Sequence, residues 1–572
     1  MDFTDKTRQK RKEHDIHIVM YIKITKNKNG VAYYHLVESY RDQGKVRQRT
    51  LLSLGRVGED GLDKLILAIG KHKDVLTAME AAKSLDIEDT YTLGPLLAVE
   101  HVFKLFRIDH ILRKIAEKHP KLEFDLCQMI FTMITCRFLR PSSKLKIFER
   151  WQDLLYPEML SGKGELQHFY RALDLLSLHK EQIEKDLYWH DRDLLNMSVD
   201  VVLYDLTTLR FESTREDLGE LRRFGYSKEM RSDCTQVVLG LLVNTEGIPL
   251  GFEVYPGNTF EGATLVDIVK RMREKFKIRR FIFVADRGLF SAANLEHIRA
   301  HCGSGESGEF IVGMKLGVLR KRHDEFYDRS RFSNLGEGLE WYETVHGKDR
   351  CIITWSRKRA ERDKKTREDI LSKISKKLTR KKSSSKDFVS NTNYKKFVSG
   401  LREGKPQLNE AAIREAERKD GFFGVITNVP KDRMGAADVI AAYKHLWVVE
   451  DAFGEIKGSL RARPVYHWSD HRIKGHLTMC FLSYFCEAQM TKLLREKKGR
   501  LESKAINEGQ IGERPLTVLE AMQELAEVRA MPVKLRGNLV WVRNDIKGNA
   551  AQLLKAIGAS LPPKLLKHIA VI

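Results

Sequence analysis

A chain of 572 residues is long enough for roughly two to four domains and a large buried core. Its 100 lysines and arginines against 78 acids give a formal charge of +22, which points to a polyanionic partner, nucleic acid or an anionic surface. The longest apolar run, near LTMCFLSYFC, falls short of the about eighteen residues a membrane span needs, and no apolar core follows the charged opening MDFTDKTRQKRKEHD. A membrane helix and a signal peptide are therefore not expected, and nucleic acid is the better partner. Seven cysteines are scattered without CxxC pairs, which argues against zinc and for reduced thiols in a cytoplasmic compartment.

In chain order, residues 18–56 alternate apolar and polar positions, with turns at Asn27–Gly30 and Asp42–Gly44, and predict a small antiparallel sheet. Lys45, Arg47 and Arg49 share one face of its last strand, as a phosphate-contacting strand or as a solvated face. Residues 60–90 predict a helical connector. Helices are predicted within 94–196, among them LLAVEHVFKLFRIDHILRKIAEK, FDLCQMIFTMITCRF and LQHFYRALDLLSL. Arg137, Arg140, Ser142, Ser143 and Lys144 form a basic break between helices, which suggests DNA contact. Ser142 or Ser143 suits the cap of the next helix, and an exposed helix N-terminus binds phosphate. His190 reads as a structural or surface residue.

From residue 198 the pattern changes to short, β-branched apolar runs, the mark of strands buried on both faces. SVDVVLYD ends on Asp205, with Thr207 and Thr208 close behind; RRFIFVAD ends on Asp286, followed by Arg287. A carboxylate at the end of such a strand sits at the sheet margin, where open α/β sheets bind ligands. Between the two runs lie the polar segment RFESTREDLGELRRFGYSKEMR, the strands QVVLGLLVN and PLGFEVYP, and the helix TLVDIVKRMREKF. The polar segment predicts a loop that offers Tyr226, Ser227, Lys228 and Arg231 to DNA. A helix near 291–300 and the strand EFIVGMKL complete a β-β-β-α-β-α-β order. Glu253, inside a strand, and Glu261, at a loop, rank below the two aspartates as candidate ligands.

The gap from Asp286 to Glu450 is too long for one βα connection and predicts an insertion. Its first part reads as β-rich (GLEWYETV, RCIITWS). Residues 357–420 read as helical and basic, with a break at Ser383–Ser385; those at 357–382 are a solvated coil or, as the charge excess favours, a rail for the DNA backbone, and the strand GFFGVITN closes the insertion. Trp341 and Trp355 are either core residues of a small sheet or platforms for an extruded base.

YKHLWVVEDAFGEIK, residues 443–457, predicts one helix. Tyr443, Glu450 and Lys457 recur every seven residues, close to two turns, and so share a stripe. Two strand-end aspartates and a helical glutamate can converge on a pair of divalent ions, and hard oxygen donors suit Mg²⁺, with Mn²⁺ as a substitute. Such a pair can activate a nucleophile and stabilise the leaving oxygen of an in-line phosphoryl displacement. Arg461, Arg463 and His467-Trp468 follow. The apolar helix HLTMCFLSYFCEAQMTKLL then predicts core, and TVLEAMQELAEV, NLVWVRNDI and a last helical piece end the chain.

These residues resemble the DDE transposases of bacterial and archaeal insertion sequences, in the IS4-like (IS1634-type) group. That group's last catalytic helix carries Tyr, two residues, Arg, three residues, Glu, six residues, Lys. Tyr443, Glu450 and Lys457 fit, whereas Leu446 stands in the arginine position, which His445, Arg461 or Arg463 would then have to fill. The resemblance extends over GYSKEMRSDCTQVVLGLLVNTEGIPLGFEVYPGNTFEG and RPVYHWSDHRIKGHL.

The resemblance implies an α/β fold: an RNase H-like core with a mixed five-stranded sheet, interrupted by a β-rich and basic helical insertion. Six stretches are expected: a β domain (1–60), a helical region binding transposon ends (61–196), the core (197–318), the insertion (319–430), the rest of the core (431–500) and a C-terminal region (501–572) that covers the core or mediates dimerisation. It also implies Asp205, Asp286 and Glu450 as catalytic and metal-binding residues. DNA contacts are expected from Tyr443, Lys457, Arg461, Arg463, Tyr226, Lys228, Arg287 and Trp355. The partners implied are double-stranded terminal repeats, target DNA and a second copy of the chain on paired ends, in the cytoplasm at the nucleoid, with no membrane. A nuclease of the same fold without strand transfer, or a non-catalytic DNA-binding protein from a domesticated element, remain alternatives.

Overall fold

The computed structural model describes residues 19–42, 45–55, 89–190, 200–216, 219–227, 231–276, 281–289, 291–301, 308–314, 316, 325–379, 388, 392–401, 405–496, 502–507, 510–515, 517–535 and 538–566. The expected 60–90 connector apart from its last two residues, most of the Asp42–Gly44 turn, Lys228 and the Ser383–Ser385 break lie outside the described residues. Contacts divide the chain into two compact units, residues 1–88 with 532–540 and residues 89–531 with 541–572.

In the first unit, β1 (Val19–Lys26), β2 (Ala32–Asp42) and β3 (Lys45–Gly55) form the expected antiparallel sheet. Asn27 closes the first turn, its side-chain oxygen accepting from the Asn29 and Val31 N–H groups at 3.0 and 2.9 Å. Lys45, Arg47 and Arg49 are exposed, and Arg49 is paired with Glu38 at 2.7 Å.

The second unit is built on one large sheet. Its strands are β4 (Asp200–Arg210), β5 (Gln236–Val243), β6 (Pro249–Pro256), β7 (Phe281–Ala285), β8 (Glu309–Met314), β9 (Ser333–Gly336), β10 (Leu339–His346), β11 (Asp349–Ser356) and β12 (Phe422–Thr427). The lateral order is β9-β10-β11-β12-β8-β7-β4-β5-β6. β4, β7 and β8 run parallel, and the remaining pairs are antiparallel.

The five strands expected for the core are therefore present, but the sheet has nine. The insertion is not a separate β domain, because its strands continue the same sheet through β12 on β8. Every residue of β8 is buried, so an unpaired edge there would leave main-chain groups unsatisfied.

Alternation along β7 explains the two layers on the sheet. Phe281, Phe283 and Ala285 pack with Leu265, Ile268 and Val269 of α6 (Glu261–Phe276) and with Leu295 and Ile298 of α7 (Ala292–His301); Ile282 and Val284 pack on the opposite face.

That opposite face is covered by helices α1 (Gly94–Leu105), α2 (Ile108–Glu117), α3 (Leu126–Leu139), α4 (Leu166–Leu178) and α5 (Lys180–His190), and by α12 (Asp470–Glu496), all contributing to one core. The single helix predicted over 96–118 is two, α1 and α2, because Arg107 takes a left-handed φ of 53°. α12 is buried on all sides from Gly475 to Met490, as a helix apolar all round must be. A Cβ at Gly475 would stand 2.0 Å from the Leu173 carbonyl oxygen, so α4 and α12 approach this closely only at a glycine.

The insertion's helices, among them α8 (Arg357–Leu378) and α9 (Glu410–Arg418), carry a small core of their own around Ile374, Phe397 and Ile413. The predicted helix over 443–457 is also two, α10 (Ala436–Lys444) and α11 (Trp447–Lys457). Between them, the N–H groups of Leu446, Val448 and Val449 bond to carbonyls three residues back, a tightened turn that sinks Leu446 into the core. Towards the C-terminus, α13 (Val518–Leu525), capped by Thr517 and Glu520, and α14 (Gly548–Ile557) join the helical core.

Candidate active site

The register of two parallel strands builds the centre of the site. β4 and β7 pair Tyr204 with Ala285, and the next residue on each strand is an aspartate, Asp205 and Asp286. β7 ends there, as predicted. β4 does not: LTTLR continues it to Arg210 on β5, so Asp205 lies in mid-strand rather than at a strand end. The β-branched Thr207 and Thr208 sustain the ladder and are buried.

Asp205, Asp286 and Glu450 line one cavity of about 1590 Å³. Glu450 enters from the first turn of α11, where the helix dipole favours an anion. Tyr443, from the last turn of α10, lines the same cavity, and its hydroxyl donates to Asp286 Oδ1 at 2.9 Å. Burial, and then the adjoining Asp286 charge, raise the Tyr443 phenol well above its ordinary value.

Gly313 of β8 makes this contact possible. A Cβ there would lie 2.5 Å from the Tyr443 hydroxyl and 2.9 Å from the Arg287 nitrogen. Sequence reasoning missed this glycine, and an isolated glycine in a strand was the available signal. From the basic stretch read as a coil or a rail, Lys358, Arg359 and Arg362 of α8 line the same cavity, which the sequence did not indicate.

The other expected DNA-contact residues do not line the cavity among the described residues. Lys457 is half-buried at the end of α11, where it shares a helix with Glu450 but not with Tyr443. Arg287 is exposed beside Asp286, and Tyr226 is 87% exposed on its loop.

Arg461 has a φ of 45°, and the Leu460 and Arg461 carbonyls accept from Arg137 at 3.1 and 3.3 Å. Arg463 is half-buried, and burial together with Arg210 pushes its guanidinium below the usual range. Trp355 turns away: its indole N–H donates to the Asp420 carbonyl at 3.2 Å, and Arg329 covers its ring at 3.5 Å. Trp341 packs on the core.

Of the basic break at 137–144, Arg137 and Lys144 face inward, while Arg140 is exposed. Arg137 holds the loop after α11, and Lys144 reaches His476 Nδ1 at 3.1 Å while only 2% exposed. Glu253 is a buried partner of Lys180 at 3.0 Å, which accounts for it without catalysis. His190, exposed, lies 3.3 Å from the Leu105 carbonyl.

Three carboxylates are the right donors for a hard divalent cation. Among the described residues, however, no three His, Cys, Asp or Glu side chains gather closely enough to hold a metal, so the acids share a cavity without converging.

Residues 198–486 match the family described as the transposase DDE domain, and residues 22–83 match the N-terminal domain of the IS1634 family of transposases. The chain belongs to the DDE transposases, enzymes that cut DNA with divalent metal. Within them, the N-terminal match is to the IS1634 family, as the motifs implied. No curated protein matches the chain. One solved structure, described as the cryo-EM structure of a piggyBac transposase synaptic complex with hairpin DNA, is 9% identical, with a TM-score of 0.36 over 76% of this chain and 79% of that one. A likeness that weak carries no argument. Among the described residues no helix is long and apolar enough to cross a membrane.

Proposed function

We infer that this transposase cuts its element's terminal repeats and joins the freed 3′-OH to target DNA, with Asp205, Asp286 and Glu450 as the catalytic acids. The carrying observation is the register that sets the two aspartates side by side, in one cavity with Glu450. The strand and helix order from β4 to β8 supports an RNase H-like core.

Asp205 and Asp286, side by side in register, are the pair that would hold the metal, Mg²⁺ or in its place Mn²⁺, with Glu450 of the same cavity as the third acid that would have to close on it. With the ion bound, the chemistry supplied is charge neutralisation at the phosphodiester and a more acidic bound water. The chain's own part is positional. Tyr443 fixes one oxygen of Asp286, and the α11 N-terminus favours the Glu450 carboxylate. Water attacks the phosphodiester at the element end and the 3′-OH leaves; that 3′-OH then attacks a target phosphodiester in line, losing its proton as the target strand's own 3′-oxygen leaves and takes one up. Neither step needs a covalent enzyme intermediate. The region of residues 61–196 reads as the part that binds the element's ends, and the enzyme as a homodimer on paired ends, working at the nucleoid.

The test is cleavage and joining of the element's own terminal duplex with Mg²⁺, wild type beside Asp286→Asn. The expected loss in the variant is at least about a thousandfold with binding kept. Cleavage without joining would make the protein a nuclease. DNA binding with no chemistry from either protein would make it a regulatory binder.

A further inference from the structure

The catalytic acids come from β4, the end of β7 and α11, and the basic residues lining the same cavity are Lys444 of α10 and three from the insertion. Lys358, Arg359 and Arg362, spaced i, i+1 and i+4, enter from the first two turns of α8, and Glu337 is the acid among the lining residues from the insertion. Lys358 and Arg362 are exposed and make no ion pair among the described residues. Arg359 is different. Its side chain is 33% exposed, its guanidinium lies 4.8 Å over the Phe423 ring, and its Nε is buried without a hydrogen-bond partner. That Nε forms a long ion pair with Asp363 at 3.7 Å, and the same Asp363 oxygen accepts from the Gly421 N–H at 3.2 Å.

A chain of contacts joins Arg359 to the acids. The Phe423 ring packs 4.9 Å from the Tyr443 ring, and Tyr443 donates to Asp286. Leu446, between Tyr443 and Glu450, offers the cavity no charge. Burial, together with Arg362 and Arg287, lowers the guanidinium from its ordinary value against the pull of Asp363. Arginine nonetheless stays charged at neutral pH. A buried donor without a hydrogen-bond partner, held only by a long ion pair, beside two cations that pair with no acid among the described residues and in one cavity with three carboxylates, is a seat for an anion that bridges them.

The start of α8 is held rigidly for this purpose. The Arg357 N–H donates to the Gly338 carbonyl at 3.0 Å. Gly421 has a φ of 84°, and a Cβ there would meet Trp355 Nε1 at 2.7 Å and the Ala360 Cβ at 2.8 Å. Trp355 thus wedges against the foot of the helix.

We propose that Arg359, flanked by Lys358 and Arg362, is the insertion's clamp on the scissile phosphodiester of the DNA, holding it against Asp205, Asp286 and Glu450. The clamp rests on the functional reading above, since it presumes that these acids face the bond that is cut. It makes the insertion part of the active site.

The test is a binding cycle with the full-length protein and EDTA, so that cleavage plays no part. The probes are two duplexes carrying the element's terminal sequence, one unmodified and one with a neutral methylphosphonate at the element–flank junction. Wild type is expected to bind the unmodified duplex about tenfold more tightly than the neutral one, the range of a charge-assisted hydrogen bond. Arg359→Ala is expected to lose that tenfold on the first duplex and almost nothing on the second, and Arg359→Lys to recover part of it. Equal losses on both duplexes, or none, would overturn the clamp and leave Arg359 a packing residue on Phe423. Lys358→Ala, exposed and free of packing, is the second variant; a smaller loss confined to the charged duplex is expected, and an equal loss on both counts against the proposal. Coupling at the junction without Mg²⁺-dependent cleavage by wild type would uphold the clamp while overturning the catalytic reading.

Discussion

Arg137 to Lys144 and Arg357 to Arg362 are both short basic stretches at the start or end of a helix, and both invite a DNA backbone. The structure sends them in opposite directions. Arg137 and Lys144 turn into the protein, where carbonyls of the loop after α11 and a ring nitrogen of His476 satisfy their donors. Lys358, Arg359 and Arg362 turn to the cavity, where few acceptors of the protein meet them. Charge alone does not tell the two apart. What separates them is whether the fold supplies acceptors, so the first stretch is part of the scaffold and the second is open to a ligand.

The largest effect expected from this contrast is on stability. Arg137→Ala leaves the buried Leu460 carbonyl and the part-buried Arg461 carbonyl without their donor and should cost about 2–4 kcal/mol in chemical denaturation. Its folded fraction should bind terminal duplex like wild type. A DNA-binding defect without a stability loss would move Arg137 to the ligand side of the comparison.

Lys144 gives the next effect, through pH. Burial first, then Arg137, pushes its amine down to about 7 from an ordinary 10.5. The unfolded chain therefore holds more protons than the folded one between these values, and stability should rise as pH climbs from about 7 towards 10. Below pH 7 the penalty of the buried charge is fully present. His476, pushed well below its usual range, and His467, pushed down to about 3, are both neutral neighbours in that window. The gain from pH 7 to 9 should be about 2 kcal/mol, and Lys144→Met should lose most of it. An unchanged slope in denaturation against pH would show that the amine is solvated.

The sheet centre was legible in the sequence because parallel strands buried on both faces have no polar positions to hide them, and an acid closing such a run stands out. Asp205 and Asp286 were found that way. The extent of β4 was not, since LTTLR reads as the start of a loop after an aspartate, and only its partner on β5 makes it strand. The insertion was legible as a gap with the right element types. That β12 would dock on β8 was not, because the partner residues, such as Ile426 and Val312, stand far apart in the chain. The break at Leu446 was hidden for a similar reason: nothing in YKHLWVVEDAFGEIK forbids one helix, and it is burial of Leu446 that bends it.

Gly313 tests the acid wall on a smaller scale. Gly313→Ala puts a methyl group where the Tyr443 hydroxyl sits, so cleavage should fall about tenfold with duplex binding intact. Tyr443→Phe should lose a similar amount, and adding Gly313→Ala to it should cost less than the product of the two, since the closest contact is with the oxygen just removed while those with the Arg287 nitrogen and the ring remain. Fully multiplicative losses would separate the glycine from the tyrosine contact.

The smallest effect returns to the two basic stretches and reads them directly. A lysine or arginine that neutralises a phosphate releases counterions, so its removal should flatten the plot of log affinity against log salt by about 0.9 for each residue. Lys358→Ala and Arg362→Ala should each show a change of that size, with about a threefold loss at moderate salt and unchanged melting. Arg137→Ala, at a side chain that faces inward, should leave the slope where it is. The measurement needs neither the terminal sequence nor the metal, because counterion release is blind to both, and a random duplex serves. Equal slopes for all three variants would mean that the wall formed by α8 does not meet DNA. Equal flattening would mean that the loop held by Arg137 carries the DNA as well, and the contrast drawn from acceptor supply would fail.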